Sequence, residues 1–230
     1  MDEFLAQRIR QGRVALFLGA GASVGRTNRL GKAPPLGGQL VSILATAMST
    51  TADASEDLQT VSAVARRRLG PQFDELLRNN YTITKPSDDY KQLANHAFHH
   101  VFTTNIDDGL EVSFIAAGAN SRTFYYRQPP FEIRNSTADT NIIKLNGSVD
   151  RLYDGMIFSD QEYSTSLNTL TWYEELVNEY LSGTTFVFIG TALREPIFWF
   201  HLSRLMMARI ERRRRDMLFV PISLKYPQRI

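Results

Sequence analysis

Four segments of the chain place glycine or polar residues directly after an apolar run, where such residues could contact a ligand. They are residues 19–23 (GAGAS), 103–107 (TTNID), 144–148 (KLNGS) and 189–194 (IGTALR). Asn, Asp, Ser and Thr also cap helices and form turns wherever strands end, so one such segment alone indicates no site. In open parallel sheets, however, ligands bind beyond the carboxyl ends of the strands. The recurrence of the pattern therefore predicts one shared crevice.

The first segment, residues 19–23, alternates glycine with small residues after the apolar run Val14–Leu18. Glycine lets the backbone approach a ligand where a side chain would block it. If a helix follows, its free N–H groups and positive dipole end face the same ligand. The pattern fits a loop that holds a dinucleotide pyrophosphate, but tight packing of a strand against a helix needs the same glycines. This segment alone leaves both explanations open.

Strands alternate with helices along the chain, and this alternation indicates how the four segments are positioned. Apolar runs predict strands at 13–18, 100–103, 141–145, 184–189 and 217–222. Helical spacing predicts helices at 4–9, 39–48, 55–69, 71–79, 88–99, 108–116, 160–167, 172–181 and 195–210. We therefore predict an α/β fold with a Rossmann-like, doubly wound, mostly parallel sheet. Residues 26–99 are predicted as a helical insertion, and residues 122–137 as a mobile or strand-poor loop.

The composition is that of a globular protein without disulfides. Hydrophobic residues make up 43% of the chain, charged residues 22%, and the net charge is +2. The chain has no cysteine, which excludes a disulfide framework and thiolate zinc sites and fits a reducing compartment. No apolar run reaches the length of a membrane span, and the acidic start does not resemble a signal peptide. We expect a cytoplasmic protein that does not bind membranes.

Taken together, the four segments resemble the NAD-binding catalytic domain of the sirtuin family, in particular the zinc-free branch found in bacterial antiphage defence proteins. Residues 19–23 are similar to the family's phosphate loop, and residues 103–107 to its Asn-x-Asp segment. Residues 144–148 align with its Lys-Leu-His-Gly-Ser segment, and residues 188–194 with its late Gly-Ser/Thr turn. The resemblance implies one sirtuin-like domain over residues 1–230, and we expect further domains beyond its C-terminus.

The resemblance implies which residues bind the nucleotide. They are Gly19, Ala20, Gly21, Ser23, Thr104, Gly190 and Thr191. Those of the phosphate loop would hold the pyrophosphate, mainly through backbone N–H groups, and the last two would contact the adenosine ribose. Residues 34–38 (PPLGG) resemble the family's loop that leads into a helix; they either close over the nicotinamide or form a rigid linker.

The implied catalytic residues are Asn105, Asp107 and Asn146. Asn105 would position the nicotinamide ribose and the attacking water, because an amide both donates and accepts hydrogen bonds. Asp107 would lie near the nicotinamide carboxamide, where a carboxylate can also stabilise positive charge on the ribose carbon. Asn146 stands where the family has its catalytic histidine. An amide accepts no proton near neutral pH, so binding would survive this difference, while turnover would fall by about 10²–10⁴-fold.

The resemblance leaves several functions open. Without the family's four-cysteine zinc module, the chain departs from the histone-type deacylases, which favours hydrolysis of NAD to nicotinamide and ADP-ribose in prokaryotic antiphage defence. The alternatives are a catalytically silent module that senses NAD or ADP-ribose, an NAD-dependent deacylase, and a purely structural domain. NAD is expected as a substrate, with no zinc. We also expect a homo-oligomer and a sensor domain or partner protein.

Histidines and a basic run complete the set of candidate residues. His99 and His100 lie at the far end of their predicted strand, so neither is expected to replace the missing base. The spacing of His96 and His100 suits a helical metal pair, but no third ligand is apparent, and we predict no metal site. The run 212–215 (RRRR) is either a solvated helix end or a contact for an acidic partner or nucleic acid. We expect no direct nucleic-acid binding.

Overall fold

The computed structural model describes residues 3–51, 56–96, 98–158, 162, 172–193 and 196–209. The strands of this part of the chain are β1 Val14–Leu18, β2 His100–Thr103, β3 Ser121–Tyr125, β4 Thr140–Lys144 and β5 Thr185–Ile189. The helices are α1 Glu3–Arg10, α2 Gly37–Ala47, α3 Leu58–Leu69, α4 Pro71–Tyr81, α5 Asp88–Ala94, α6 Gly109–Ala116, α7 Trp172–Leu181 and α8 Pro196–Arg209. Short 3₁₀ segments span Ala20–Ser23, Pro130–Asn135 and Val149–Asp154.

The described strands form one five-stranded sheet in the order β3-β4-β2-β1-β5. Each neighbouring pair is parallel, so the carboxyl ends of all five strands lie at one edge. Parallel strands must be joined by crossovers, and most of the connections carry helices. The α/β, Rossmann-like fold predicted from the sequence is therefore confirmed.

Both faces of the sheet are covered, and β1 shows why. Its residues alternate between two hydrophobic clusters: Val14 and Leu16 pack on one face with α5 and α6, and Phe17 packs on the other with α7 and α8. Every residue of β1 is buried. A strand buried on both faces reads as a continuous apolar run, which is the pattern that the sequence shows.

Helices α2–α5 lie between β1 and β2, and α2–α4 form a third hydrophobic cluster. Leu40, Leu44, Phe73 and Leu77 are fully buried in it. The cluster also includes Ile106 and Val149, which follow β2 and β4. The packing of these two residues holds the helical layer against the edge where the strands end.

Two predicted elements differ from the structure. Residues 121–125 form β3, although a strand-poor loop was predicted there; this edge strand pairs only with β4, and only Phe124 is fully buried, so the hydrophobic pattern is too weak to indicate a strand. The helix predicted at 88–99 ends at Ala94. Beyond it, the backbone N–H of His99 donates to the carbonyl of Val14, which places the chain beside β1 before β2 begins.

Some predicted features lie outside the described residues: the strand at 217–222, the basic run 212–215 and, except for residue 162, the helix at 160–167. Among the helices that the structure does describe, none is both long enough and apolar enough to span a bilayer.

Candidate functional site

A cavity of about 470 Å³ lies at the carboxyl ends of β1, β2 and β4. This volume is typical of small-molecule sites. The cavity is lined by these predicted site residues: Ala20, Ser23, Thr104, Asn105, Asp107 and Asn146. Helices α2 and α4 add Leu40 and Tyr81 to its wall. The structure thus brings three of the four polar segments together in one crevice.

The glycines at 19 and 21 lie against the turn that follows β5. The backbone N–H of Gly19 donates to the carbonyl of Ile189 at 2.9 Å, and that of Gly21 to the carbonyl of Gly190 at 2.8 Å. A Cβ on Gly19 would meet Thr191 Cβ at 2.6 Å, and a Cβ on Gly21 would meet Gly190 Cα at 2.9 Å. Tight packing therefore explains both glycines, and Gly190 and Thr191 serve as their packing surface.

The residues after Gly19 form only one 3₁₀ turn, Ala20–Ser23, and the next helix begins at Gly37. The helix that would direct its dipole at a phosphate is therefore absent directly after this loop. Since the N–H groups of Gly19 and Gly21 bond to the chain itself, these two residues could assist a ligand only by close approach. Their predicted role in holding a pyrophosphate stays a prediction.

A chain of hydrogen bonds joins Asn105, Ser23 and Asp107. Asn105 Nδ2 donates to Ser23 Oγ at 2.9 Å, and Ser23 Oγ donates to Asp107 Oδ2 at 2.6 Å. Asn105 Nδ2 also donates to the carbonyl of Gly19 at 2.9 Å. Because a backbone carbonyl only accepts, these contacts fix which end of the amide faces the loop after β1.

The other end of the Asn105 side chain is unsatisfied. Asn105 Oδ1 is buried and has no hydrogen-bond partner among the described residues, although Asn105 lines the cavity. Buried polar atoms are nearly always hydrogen-bonded, and an exception calls for a ligand or water at that position. The cavity therefore presents a fixed acceptor for a hydroxyl group or a water molecule.

Asp107 is buried and held from two sides. Its Oδ2 accepts from Ser23, and its Oδ1 accepts from the backbone N–H of Gly109 at 3.1 Å.

Burial raises the pKa of Tyr81 and of Tyr90, and the nearby charge of Asp107 raises both further. Both phenols therefore stay protonated and act as walls or hydrogen-bond donors; the Tyr81 hydroxyl donates to the carbonyl of Pro35 at 3.0 Å.

Lys144, the last residue of β4, binds the backbone of the segment that contains Asp107. Sequence analysis did not predict this role. Its ammonium group donates to the backbone carbonyl of Asp107 and forms an ion pair with Glu111 Oε1 at 3.2 Å. Both side chains are largely buried, at 1% and 14% exposed. Burial raises the pKa of Glu111, and the charge of Lys144 opposes that rise.

Asn146 is also buried, and its Oδ1 accepts a hydrogen bond from the hydroxyl of Tyr173 at 2.8 Å. Its backbone carbonyl accepts from Ile157 at 3.0 Å. Tyr173 lies on α7, and no local pattern in the sequence links it to position 146. The bond holds the Asn146 amide in one orientation.

The charge of the described lining is negative. Asp57 and Asp107 contribute carboxylates, and no lysine or arginine belongs to this lining. A backbone hydrogen bond from Thr60 lowers the pKa of Asp57, so it is ionised near neutral pH. Pro34 and Pro35 form one side of the cavity. Closure of residues 34–38 over nicotinamide and a rigid linker both stay predictions. Such a cavity suits a cationic or hydroxyl-rich ligand.

No histidine belongs to the described lining of the cavity. His100 is the first residue of β2, while Thr104 and Asn105 follow its last residue. His99 and His100 therefore lie at the opposite edge of the sheet, as the sequence predicted. Neither His99 nor His100 can therefore serve as a base in the cavity.

The family model described as a SIR2-like domain matches residues 99–229, which is more than half of the chain. The match includes the segments after β2, β4 and β5. A comparison with curated proteins gave no match.

Proposed function

This chain belongs to the SIR2-like domain family and has an NAD-related function, and from this premise we propose that it hydrolyses NAD⁺ to nicotinamide and ADP-ribose. The observation that carries the proposal is the buried, unpartnered Oδ1 of Asn105 beside the carboxylate of Asp107 in one cavity. An acceptor for a hydroxyl or water in the same cavity as a negative charge would assist cleavage of a cationic N-glycoside.

Hydrolysis breaks the bond between the nicotinamide nitrogen and C1′ of the ribose, and the oxygen of a water molecule forms a new bond to C1′. The electron pair of the broken bond leaves with nicotinamide, which becomes neutral. The water loses one proton to solvent. Positive charge grows on the ribose ring as the bond breaks, so a nearby fixed carboxylate lowers the barrier.

The residues of this chain fit that sequence of events. Asn105 Oδ1 accepts from a ribose hydroxyl or from the attacking water, because its amide is already oriented by Gly19 and Ser23. Asp107 supplies the negative charge, and its two hydrogen bonds hold it in place. Asn146 contributes no base, so water attacks without one and turnover is slow. NAD⁺ fits the negative lining best through its cationic nicotinamide end.

The test is release of nicotinamide and ADP-ribose from NAD⁺, followed by chromatography. We expect slow release by the chain as it stands and a rise of about 10²–10⁴-fold for Asn146→His, since the variant restores a general base. Asn105→Ala in either background should lower the rate by about 10²-fold through loss of positioning. Asn135→Ala, at an exposed amide far from the cavity, is the control and should change nothing. No release by either the parent or Asn146→His contradicts the proposal.

A second function has one specific observation in its favour. The Oδ1 of Asn146 already accepts a hydrogen bond from Tyr173, so the asparagine at position 146 has a structural role that needs no catalytic group. A silent module that senses NAD or ADP-ribose would have this property. Calorimetry distinguishes the two functions: tight binding of ADP-ribose, with no turnover even in Asn146→His, supports the sensor. NAD-dependent loss of an acyl group from a peptide would instead reveal a deacylase.

We place the hydrolase in defence against phage, where it would deplete NAD in the cytoplasm after a sensor domain or partner is triggered. The resemblance to zinc-free antiphage proteins supports this setting. Bacteria that express the chain in its natural context should lose NAD and restrict phage growth on infection, and Asn105→Ala should remove both effects. Equal protection by Asn105→Ala contradicts the setting.

We also propose that the protein is a homo-oligomer, which the same resemblance supports. Light scattering coupled to size-exclusion chromatography measures the mass of the particle in solution. A mass near that of one chain, 26.1 kDa, at all concentrations would contradict this assembly.

A further inference from the structure

Three side chains that can bind a metal ion meet at the edge of the sheet opposite the cavity. His99 precedes β2, His100 begins it, and Glu179 lies on α7. One donor atom from each residue lies within 4.8 Å of the others. Glu179 Oε2 contacts His100 Nδ1, and Glu179 Oε1 lies 4.0 Å from His99 Nε2.

The carboxylate of Glu179 is the second observation that points to a ligand. Its side chain is only 10% exposed, and Oε1 has no hydrogen-bond partner among the described residues. Arg8 and Arg13 share a recess with His99. Arg8 donates instead to Thr185 Oγ1 and to the carbonyl of Gly183. A buried carboxylate oxygen without a donor is costly, and a cation between it and the imidazoles removes that cost.

The three donor atoms are grouped closely enough for a metal site but would have to shift to reach metal-ligand spacing. Bonds of about 2.0–2.2 Å at tetrahedral angles place ligand atoms about 3.3–3.6 Å apart. The pair of Glu179 and His99 exceeds this separation slightly, and the pair of Glu179 and His100 falls below it. Since the His99 side chain is 55% exposed, it can rotate toward a metal without disturbing the core.

Space for a completed coordination shell is present. A recess of about 300 Å³ borders His99, His100 and Glu179, and its wall includes the polar residues Asn178 and Ser182. Three protein ligands and one open position for water are a common arrangement for zinc. Imidazole and carboxylate donors also accommodate other first-row divalent ions.

We propose that His99, His100 and Glu179 bind a divalent transition-metal ion, with Zn²⁺ as the expected metal. The site lies at the edge of the sheet opposite the cavity that Asn105 and Asp107 line, and it needs no cysteine. The bound ion would join the segment before β2 to α7, so its effect is on the stability of the fold. The inference does not depend on the proposed hydrolase activity.

The first test is direct binding to the whole protein. After dialysis against a chelator, titration with ZnCl₂ should show one metal ion per chain, and Co²⁺ should give the visible absorption of a tetrahedral complex. Zinc should also raise the melting temperature. Absence of zinc and cobalt binding by the unmodified protein overturns the proposal, whatever the variants do.

The second test assigns the ligands. Glu179→Gln keeps the shape and an acceptor for His100 but loses the charge, and His99→Ala removes an exposed ligand. Each should weaken zinc binding by at least about 10-fold. His96→Ala is the matched control, because His96 is an exposed histidine close in sequence but outside the cluster, and its binding should equal that of the parent. Circular dichroism without metal verifies folding. Unchanged zinc affinity in folded Glu179→Gln or His99→Ala overturns the site.

Discussion

The side chain of Ser23 connects two of the polar residues that line the cavity, Asn105 and Asp107. Its hydroxyl accepts from Asn105 and donates to Asp107, and Ser23 is only 3% exposed. A hydroxyl is the smallest group that can both accept and donate at one atom. Ser23 is thus a positioning residue: it orients the amide and the carboxylate, whether or not it also meets a phosphate.

Ser23→Ala should therefore lower both stability and turnover. The change leaves Asp107 Oδ2 without its donor, and we expect the free energy of unfolding to fall by about 1–3 kcal/mol. Denaturant titration measures this loss, and nicotinamide release from the Asn146→His background measures the effect on turnover. Ser42→Ala, at an exposed serine on α2, removes one weak bond to Gly38 and should cost far less. Equal stability losses in the two variants would show that the buried hydrogen bonds of Ser23 contribute no more to stability than the exposed bond of Ser42.

At the scale of elements, the contact between the loop after β1 and the turn after β5 fixes the back of the cavity. Gly190 has a φ of +65°, and a Cβ there would lie 2.1 Å from the backbone nitrogen of Ala22. Two separate restrictions therefore meet at Gly190: a backbone conformation that favours glycine, and a lack of space. Backbone atoms on both sides leave no flexible side chain to move away.

Gly190→Ala should destabilise the protein by several kcal/mol and displace the loop at Ala20–Ser23. Gly118→Ala separates the two restrictions, because Gly118 has a φ of +68° but nothing within 4 Å of its would-be Cβ. The control should cost only about 1 kcal/mol, the cost of the left-handed conformation alone. Thermal and denaturant unfolding of both variants supply the comparison. Equal losses of stability in the two variants would contradict the inference that close contact between the two loops restricts position 190.

At the scale of the whole molecule, the buried ion pair of Lys144 and Glu111 links the sheet to α6 next to the segment that contains Asp107. Removal of one partner from a buried pair leaves an uncompensated charge, which costs about 3–5 kcal/mol. Burial raises the pKa of Glu111 above its ordinary value of 4.5. The folded state then binds this proton more tightly than the unfolded state, so the contribution of Glu111 to stability falls as the pH rises above 4.5.

Lys144→Met should make this pH dependence steeper. Without the ammonium group the pKa of Glu111 rises further above its ordinary value of 4.5. We therefore expect a loss of about 3–5 kcal/mol near pH 7 that shrinks as the pH falls toward 4.5, because Glu111 is protonated in the folded variant before that pH is reached. Unfolding free energies across this pH range test the prediction. Lys144→Met combined with Glu111→Gln is the control, because it removes both charges and should be nearly free of the added pH dependence. A pH-independent loss in the single variant would contradict the role of Glu111.

The hydrophobic pattern of neighbouring residues predicted much of the fold. The apolar run of β1 and the helical spacing of α2, α4 and α7 are properties of neighbouring residues, so the elements and the polar segments that follow the strands could be predicted. The edge strand β3 could not, because a strand with one partner and a single fully buried residue, Phe124, carries almost no periodic signal. The same limit applies to the short helix that ends at Ala94.

The sequence by itself determined the residue types that meet at the cavity and the alternation that brings strand ends to one edge. Only the tertiary structure decided their partners: Tyr173 for Asn146, the turn at Gly190 for the glycines, and Glu179 for His100. The physical reason is distance along the chain. Propensity and periodicity act over a few residues, whereas each of these contacts joins segments that only the packing of helices on the sheet brings together.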